Sequence, residues 1–146
     1  MKNTTVKDVM EKNPEIISPD TTLLEACNKM KELDCGSLPV GSEDKPQGMI
    51  TDRDIVVRAI CNGADPATST VRDFMTTTLC SCNEDDTLIE AAEAMNKYNV
   101  SRITVKDESG HITGILSFGH ILRSSAADNE EIAETVYRAT GRKKAA

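Results

Sequence analysis

Apolar positions along the chain fall into helix and strand patterns, and each pattern occurs twice. Leu23, Ala26, Cys27, Met30 and Leu33 recur at intervals of three and four, which predicts a helix with one apolar face. Leu88, Ala91, Ala92, Met95 and Tyr98 write the same face again, 65 positions on (88 − 23). Ser18-Pro19-Asp20-Thr21-Thr22 supplies capping residues before the first helix, and Ile16-Ile17 reads as a short strand ahead of them. After that helix the pattern predicts a hairpin: Ser37-Leu38-Pro39-Val40, a polar turn over 41–47, then Gly48-Met49-Ile50-Thr51. Pro39 has no N–H, which puts its strand at a sheet edge or makes it a strand start. Residues 54–60 read as a second helix. The later half repeats the series with strands at 102–105 and 114–117, a turn over 107–110 and a helix around Ile121-Leu122. Each repeat is therefore strand, helix, strand, strand, helix.

The repetition extends to the segments that open each half. Val6-Lys7-Asp8-Val9-Met10 returns as Val71-Arg72-Asp73-Phe74-Met75, the same shift of 65 (71 − 6). One residue is gained in the later hairpin, so Gly48-Met49-Ile50-Thr51 matches Gly114-Ile115-Leu116-Ser117 at 66 (114 − 48). A duplicated unit constrains a fold strongly. The boundaries read as repeat 6–62, linker 63–70, repeat 71–124 and a final helix within 128–141. Asp128 is the expected cap of that helix, Ile132, Val136 and Ala139 its apolar side, Gly141 its stop and Lys143-Lys144 a tail. A repeat of ~60 residues is marginal as an independent core. Two repeats packed about a pseudo-twofold axis solve that problem within the 146 residues.

Composition narrows the function classes. The formal charge is −7, which disfavours binding to nucleic-acid phosphates. Two Phe, two Tyr and no Trp give no stacking platform for single strands. No apolar run has the length of a membrane span, and residues 1–8 have no apolar core that would make a signal peptide. The expected location is the cytoplasm. The cysteine count, five, is odd, so a disulfide framework is not expected.

The chemistry concentrates in Gly48-Met49-Ile50-Thr51-Asp52-Arg53-Asp54, a strand end leading into a helix. Thr51 and Asp54, three apart, have the spacing of a reciprocal helix cap. The same carboxylate can also accept hydrogen bonds from the vicinal hydroxyls of a ribose. Catalysis has little support, since no serine, cysteine or acid pair has an evident base beside it. Cys80-Ser81-Cys82 sends two thiols to one face of a strand, but no second cysteine pair or histidine lies at zinc spacing. Buried thiols are the plainer reading there, and no metal site is assigned. Cys27 reads as core, and Cys35 and Cys61 as candidate redox-active thiols.

Taken together, the repeated Val-Lys-Asp-Val-Met opening, Ser-Pro-Asp-Thr-Thr-Leu, Leu-Pro-Val and Gly-Met-Ile-Thr-Asp-Arg-Asp-Ile make the chain similar to the CBS-domain family from about Val6 to Arg123. It resembles the small stand-alone two-repeat members of the hypoxic-response type. The resemblance implies an α+β fold: a CBS-domain pair of two pseudo-twofold-related βαββα repeats packed sheet to sheet (a Bateman module), plus a C-terminal helix. It implies a homodimer, no catalysis, no required cofactor, and a regulatory ligand that is AMP, ADP, ATP or S-adenosylmethionine, held in clefts between the repeats. By position, Thr51 and Asp54 face the ribose, with Ser37 and Met49 beside them. Ser81, Cys82, Val100, Ser101 and Arg102 come from the other repeat, Arg102 towards phosphate.

The second cleft departs from that pattern. Its motif is Gly114-Ile115-Leu116-Ser117-Phe118-Gly119-His120, with His120 where the family has an acid. A neutral imidazole cannot accept two ribose hydroxyls. This cleft, lined by Ile115, Ser117 and His120 with Ile17, Ser18, Cys35 and Gly36, is expected to be empty, weaker or selective for another ligand. The rival readings are a ligand-free dimerisation and interaction protein with an unidentified protein partner, or a thiol or metal sensor built on Cys80 and Cys82.

Overall fold

The computed structural model describes residues 4–77, 80–124 and 130–144. It divides into two compact units: unit 1 joins Met1–Asn13 to Cys80–Ala146, and unit 2 is Pro14–Leu79. In chain order the elements are α1 (Val6–Val9), β1 (Glu11–Lys12), α2 (Leu23–Leu33), β2 (Ser37–Gly41), β3 (Pro46–Thr51), a π-helix (Asp54–Ala59), 3₁₀ turns at Ile60–Asn62 and Val71–Asp73, β4 (Ser81–Asn83), α3 (Leu88–Lys97), β5 (Arg102–Lys106), β6 (Ile112–Ser117), α4 (Phe118–Arg123) and α5 (Glu130–Lys144).

In unit 2, α2 begins at Thr22. Its hydroxyl accepts from the Glu25 N–H at 3.1 Å, and the Glu25 carboxylate accepts from the Thr22 N–H at 3.3 Å. This reciprocal cap satisfies two N–H groups that the first turn leaves open. Leu23, Ala26 and Met30 then bury one face against Leu38, Val40 and Ile50 of the β2–β3 hairpin. The helix ends at Asp34, in the left-handed region at φ 51, and the Cys35 N–H closes the last turn on the Met30 carbonyl. In unit 1, Thr87 caps α3 through the Glu90 N–H at 3.1 Å. There Asn99 takes the left-handed conformation at φ 54, and the Val100 N–H closes on the Met95 carbonyl. Asp and Asn tolerate that conformation better than most residues.

Unit 1 has a four-stranded sheet in the order β1-β6-β5-β4, antiparallel except for β4 and β5. Unit 2 keeps the same order in reduced form. Its β2–β3 pair is flanked by single bridges, Met49 to Thr76 on one side and Ile17 to Val40 on the other. The strand expected at Ile16-Ile17 is therefore one bridge long. That shortness explains Pro39. Its carbonyl accepts from the Ile17 N–H at 3.0 Å, and its missing N–H faces a side where the neighbouring strand is too short to demand a bond.

The opening motifs sit in exchanged places. Val6 and Met10 are buried in the core of unit 1, among side chains of residues 80–136, while Val71 and Met75 are buried in the core of unit 2. The contacts match residue for residue. The Val6 N–H donates to the Asp86 carbonyl and the Lys7 N–H to the Glu84 carbonyl. The Val71 N–H donates to the Thr21 carbonyl and the Arg72 N–H to the Pro19 carbonyl, all four at 2.9–3.1 Å. The sequence repeats, 6–62 and 71–124, and the compact units are thus two different divisions of one chain.

The last helix differs from expectation. It runs through Gly141 to Lys144, so Gly141 is not its stop and Lys143-Lys144 is not a tail. Ile132 and Val136 bury in the core of unit 1, and Thr135 is buried beside them in sequence. The cap assigned to Asp128 and the break assigned to 125–129 lie outside the described residues, as does the side chain of Ala139.

Candidate functional site

The motif of unit 2 forms where β3 meets the π-helix. The Thr51 N–H donates to Asp54 Oδ2 at 3.1 Å, and the Asp54 N–H donates to Thr51 Oγ1 at 3.0 Å. The expected cap therefore exists. Among the described residues, it leaves Asp54 Oδ1 with one long contact, from the Thr76 hydroxyl at 3.5 Å; the same hydroxyl lies 3.4 Å from Oδ2. A carboxylate has about four acceptor positions, so this one keeps capacity for a ligand hydroxyl. Ser37, buried, is paired across the hairpin with Thr51, and half-buried Met49 with Pro39. After the motif the helix is widely wound: the Ile60 N–H reaches the carbonyl five residues back, on Ile55, as well as that of Val56. Such π turns are frequent at functional sites.

Residues 71–76 run along this motif. Met49 and Thr76 exchange both backbone hydrogen bonds, at 3.0 and 2.9 Å, and Arg58 Nη1 donates to the Met75 carbonyl at 3.1 Å. Gly48 permits the approach, because a Cβ there would run into the Thr76 carbonyl oxygen.

Unit 1 builds the same cap from different atoms. The Ser117 N–H donates to His120 Nδ1 at 3.0 Å, and the His120 N–H donates to Ser117 Oγ at 3.1 Å. A backbone N–H can only donate, so Nδ1 is the bare nitrogen and the neutral ring carries its proton on Nε2. Burial lowers the His120 pKa below its ordinary value, and the Arg123 charge adds to that; Glu11 opposes it and Arg102 reinforces it. Glu11 lies on β1, opposite Ile115 of β6. It occupies the position that Thr76 holds in unit 2, 65 residues on (76 − 11). Neither Glu11 nor Thr76 was selected by sequence reasoning, although the shift that aligns the two openings also aligns them.

The remaining assigned residues differ in availability. On β4 Ser81 is exposed and Cys82 is buried in the core of unit 1. Burial, then the charge of Asp86, pushes its thiol up to about 12. Cys80 is in the same core and is likewise raised by burial. Val100 packs partly against that core, and the exposed Ser101 accepts the Phe118 N–H on its carbonyl at 3.3 Å. Arg102 is half-buried opposite Ser117. Ile17 and Ile115 are buried. Ser18 is exposed, its hydroxyl accepting from the Asp20 N–H. Cys35 and Gly36 are half-buried, and the Gly36 carbonyl accepts from the Asp52 N–H at 3.0 Å. Among the described residues no three of His, Cys, Asp and Glu cluster as a metal site, and no helix is long and apolar enough to cross a membrane.

The chain belongs to the CBS-domain family, whose pattern it matches over residues 6–59 and 71–127. It is 34% identical over 116 residues to the CBS domain-containing protein YhcV of Bacillus subtilis, covering 80% of this chain and 81% of that one. It is 31% identical to Hypoxic response protein 1 of Mycobacterium tuberculosis, covering 82% and 84%. A solved structure of Hypoxic Response Protein I, holding two coordinated zinc ions, superposes with a TM-score of 0.72 over 82% of this chain and 98% of that one. The CBS-domain pair of protein MJ0100, solved with 5′-methylthioadenosine and S-adenosyl-L-methionine, is 26% identical, with a TM-score of 0.70 over 97% and 99%.

Proposed function

We propose that this CBS-domain pair is a non-enzymatic regulatory module that binds an adenosine-containing ligand, AMP, ADP, ATP or S-adenosylmethionine, through the Thr51–Asp54 motif. The carrying observation is the Asp54 carboxylate, which caps its helix through Oδ2 and keeps Oδ1 for a ligand hydroxyl. The adenosine ligands held by the MJ0100 pair support the choice of class. The ligand roles of Ser37 and Met49, and of Ser81, Cys82, Val100, Ser101 and Arg102, rest on the family resemblance. Ligand binding acts by favouring one conformation of the module, and so one state of its dimer or partner contacts.

A homodimer is part of the proposal. Val56 and Leu122 hold equivalent positions in the two repeats (122 − 56 = 66), and both are about half exposed, at 55% and 51%. Large apolar side chains exposed at matched positions suit a self-association face. The proposed location is the cytoplasm, where five thiols stay reduced. The sensor reading built on Cys80 and Cys82 loses support, because both thiols are buried.

A thermal-shift titration of reduced protein against AMP, ADP, ATP, S-adenosylmethionine and guanosine tests the proposal. A ligand selective for the folded state raises the melting midpoint with concentration. The expected result is a saturable rise with one adenosine ligand, lost in Asp54→Ala. No rise with any of them, in folded and ligand-free protein, overturns the reading in favour of a ligand-free dimerisation protein.

A further inference from the structure

The far end of the π-helix carries a reactive pair that neither motif uses. Asn62 and Gly63 stand where the 3₁₀ turn at Ile60–Asn62 closes, and both are exposed. Gly63 takes the left-handed conformation, at φ 80 and ψ 15, as glycine does at many helix ends. Among the described residues, and beyond its own chain neighbours, no heavy atom lies within 4 Å of where its Cβ would stand. A glycine nitrogen after asparagine is an unhindered nucleophile, because no β-carbon shields it. The asparagine side-chain carbonyl carbon is within its reach through a cyclic imide.

The closed helix end holds both reacting groups. The Gly63 N–H donates to the Ile60 carbonyl at 3.1 Å, and Asn62 Nδ2 donates to the Arg58 carbonyl at 2.8 Å. The Ala64 N–H closes the same end on the Ala59 carbonyl at 3.1 Å. The nucleophile is the Gly63 nitrogen after loss of its proton, and the leaving group is the Asn62 amide. Each stays engaged while these bonds persist. Exposed helix ends open locally at free energies below that of global unfolding, so the pair meets base in short-lived openings.

We propose that Asn62 is a latent deamidation site, held unreacted by the closed helix end and released when that end opens. In the opened chain hydroxide removes the Gly63 amide proton and the nitrogen bonds to Asn62 Cγ. The Cγ–Nδ2 bond breaks, and the amide nitrogen takes protons from water and leaves as ammonia. Water then opens the imide. Cleavage at Cγ gives aspartate, and cleavage at the main-chain carbonyl gives isoaspartate, with no change in oxidation state. The product puts a carboxylate where Nδ2 donated to the Arg58 carbonyl, so repulsion between acceptors replaces the cap. The new negative charge also opposes the dipole at a helix C-terminus. Arg58 is the residue whose guanidinium reaches the Met75 carbonyl, so loosening this end loosens an anchor of residues 71–76. All of these residues lie in unit 2, and the site does not depend on the adenosine reading of Asp54.

The test is peptide mapping by mass spectrometry, with isoaspartate resolved from aspartate, on the full reduced chain incubated in mildly alkaline buffer. One arm is native, and the other is unfolded in guanidinium chloride. Aspartate and isoaspartate are expected at position 62 in the unfolded arm, and in the native arm at a rate about tenfold lower. Ala64→Pro deletes the Ala64 N–H bond to the Ala59 carbonyl without touching the reacting pair, and should raise the native rate several-fold. Guanidinium chloride below the unfolding transition should raise it in the parent chain without any substitution. Circular dichroism melts verify that the variant is folded. No conversion at Asn62 in the unfolded chain, equal rates in the native and unfolded arms, or a native rate indifferent to sub-transition denaturant and to folded Ala64→Pro would overturn the proposal.

Discussion

The motifs at Gly48–Asp54 and Gly114–His120 share a backbone task and differ in almost everything beyond it. Each closes a helix start with two hydrogen bonds of 3.0–3.1 Å between the first and fourth residue of the cap. In one the fourth residue is a carboxylate faced by a threonine hydroxyl. In the other it is an imidazole influenced by a carboxylate, so the acid has moved from the helix to the segment beside it. The difference teaches that a cap can be kept while the polar group left over beside it changes character. A bare Nδ1 satisfies the cap as well as Oδ2 does. The cap leaves over the second heteroatom, an acceptor Oδ1 in one repeat and a donor Nε2–H in the other.

The comparison breaks most sharply at Asp54. Asp54→Ala should weaken the adenosine ligand by about 3 kcal/mol, roughly a hundredfold, if two charge-assisted hydrogen bonds go. His120→Ala should change that affinity less than twofold, and isothermal calorimetry on both variants measures the ratio. Equal losses would erase the distinction between the motifs. Next come the glycines. Gly48→Ala drives a methyl group into the Thr76 carbonyl, which is backbone and cannot swing away, and should cost about 1–3 kcal/mol in a urea melt. Gly114→Ala first meets the Met10 thioether, a flexible chain end, and should cost less, limited by the Glu11 carbonyl at 2.9 Å.

Smaller effects sharpen the shared part. Thr51→Ala and Ser117→Ala should each lose about 1 kcal/mol of stability, because each removes the same kind of cap. Very different losses would show that the caps are not equivalent. The smallest effect is the pH dependence of His120. Its pKa is below 6.5 in the fold, so the unfolded chain takes up the proton first on acidification. The stabilisation is complete above about 6.5, the unfolded value, and is lost as pH falls through the folded value. Between pH 7.5 and 5, His120→Asn, whose amide oxygen can still cap, should show a flatter melting midpoint than the parent.

Much of this was legible before the fold was known. The apolar spacing of 23–33 and 88–98, the hairpins and the threonine caps were all written in local chemistry, and duplication reinforced each. What failed depends on distance. The Ile16-Ile17 strand shrank to a bridge because neighbouring pairing, and not propensity, sets strand length. Gly141 costs a helix interior about 1 kcal/mol, yet helix α5, anchored by buried Ile132 and Val136, runs past it. Glu11 and Thr76 stood at equivalent positions all along. Their significance needed knowledge of which strand each opening joins, and two near-identical openings do not reveal that by themselves.

The exchanged openings give the chain an order of assembly. A ribosome releases every residue of unit 2 once position 79 has emerged. Val6–Met10 emerges earlier still, but its bonding partners Glu84 and Asp86 have yet to be made, and β1 waits until β6 is complete at Ser117. Closing that circuit joins residues more than a hundred positions apart, the kind of long-range contact that slows folding. A segment synthesised before unit 2 is thus among the last to find its place. Until it does, the core of unit 1 lacks Val6 and Met10 while unit 2 already has its full set.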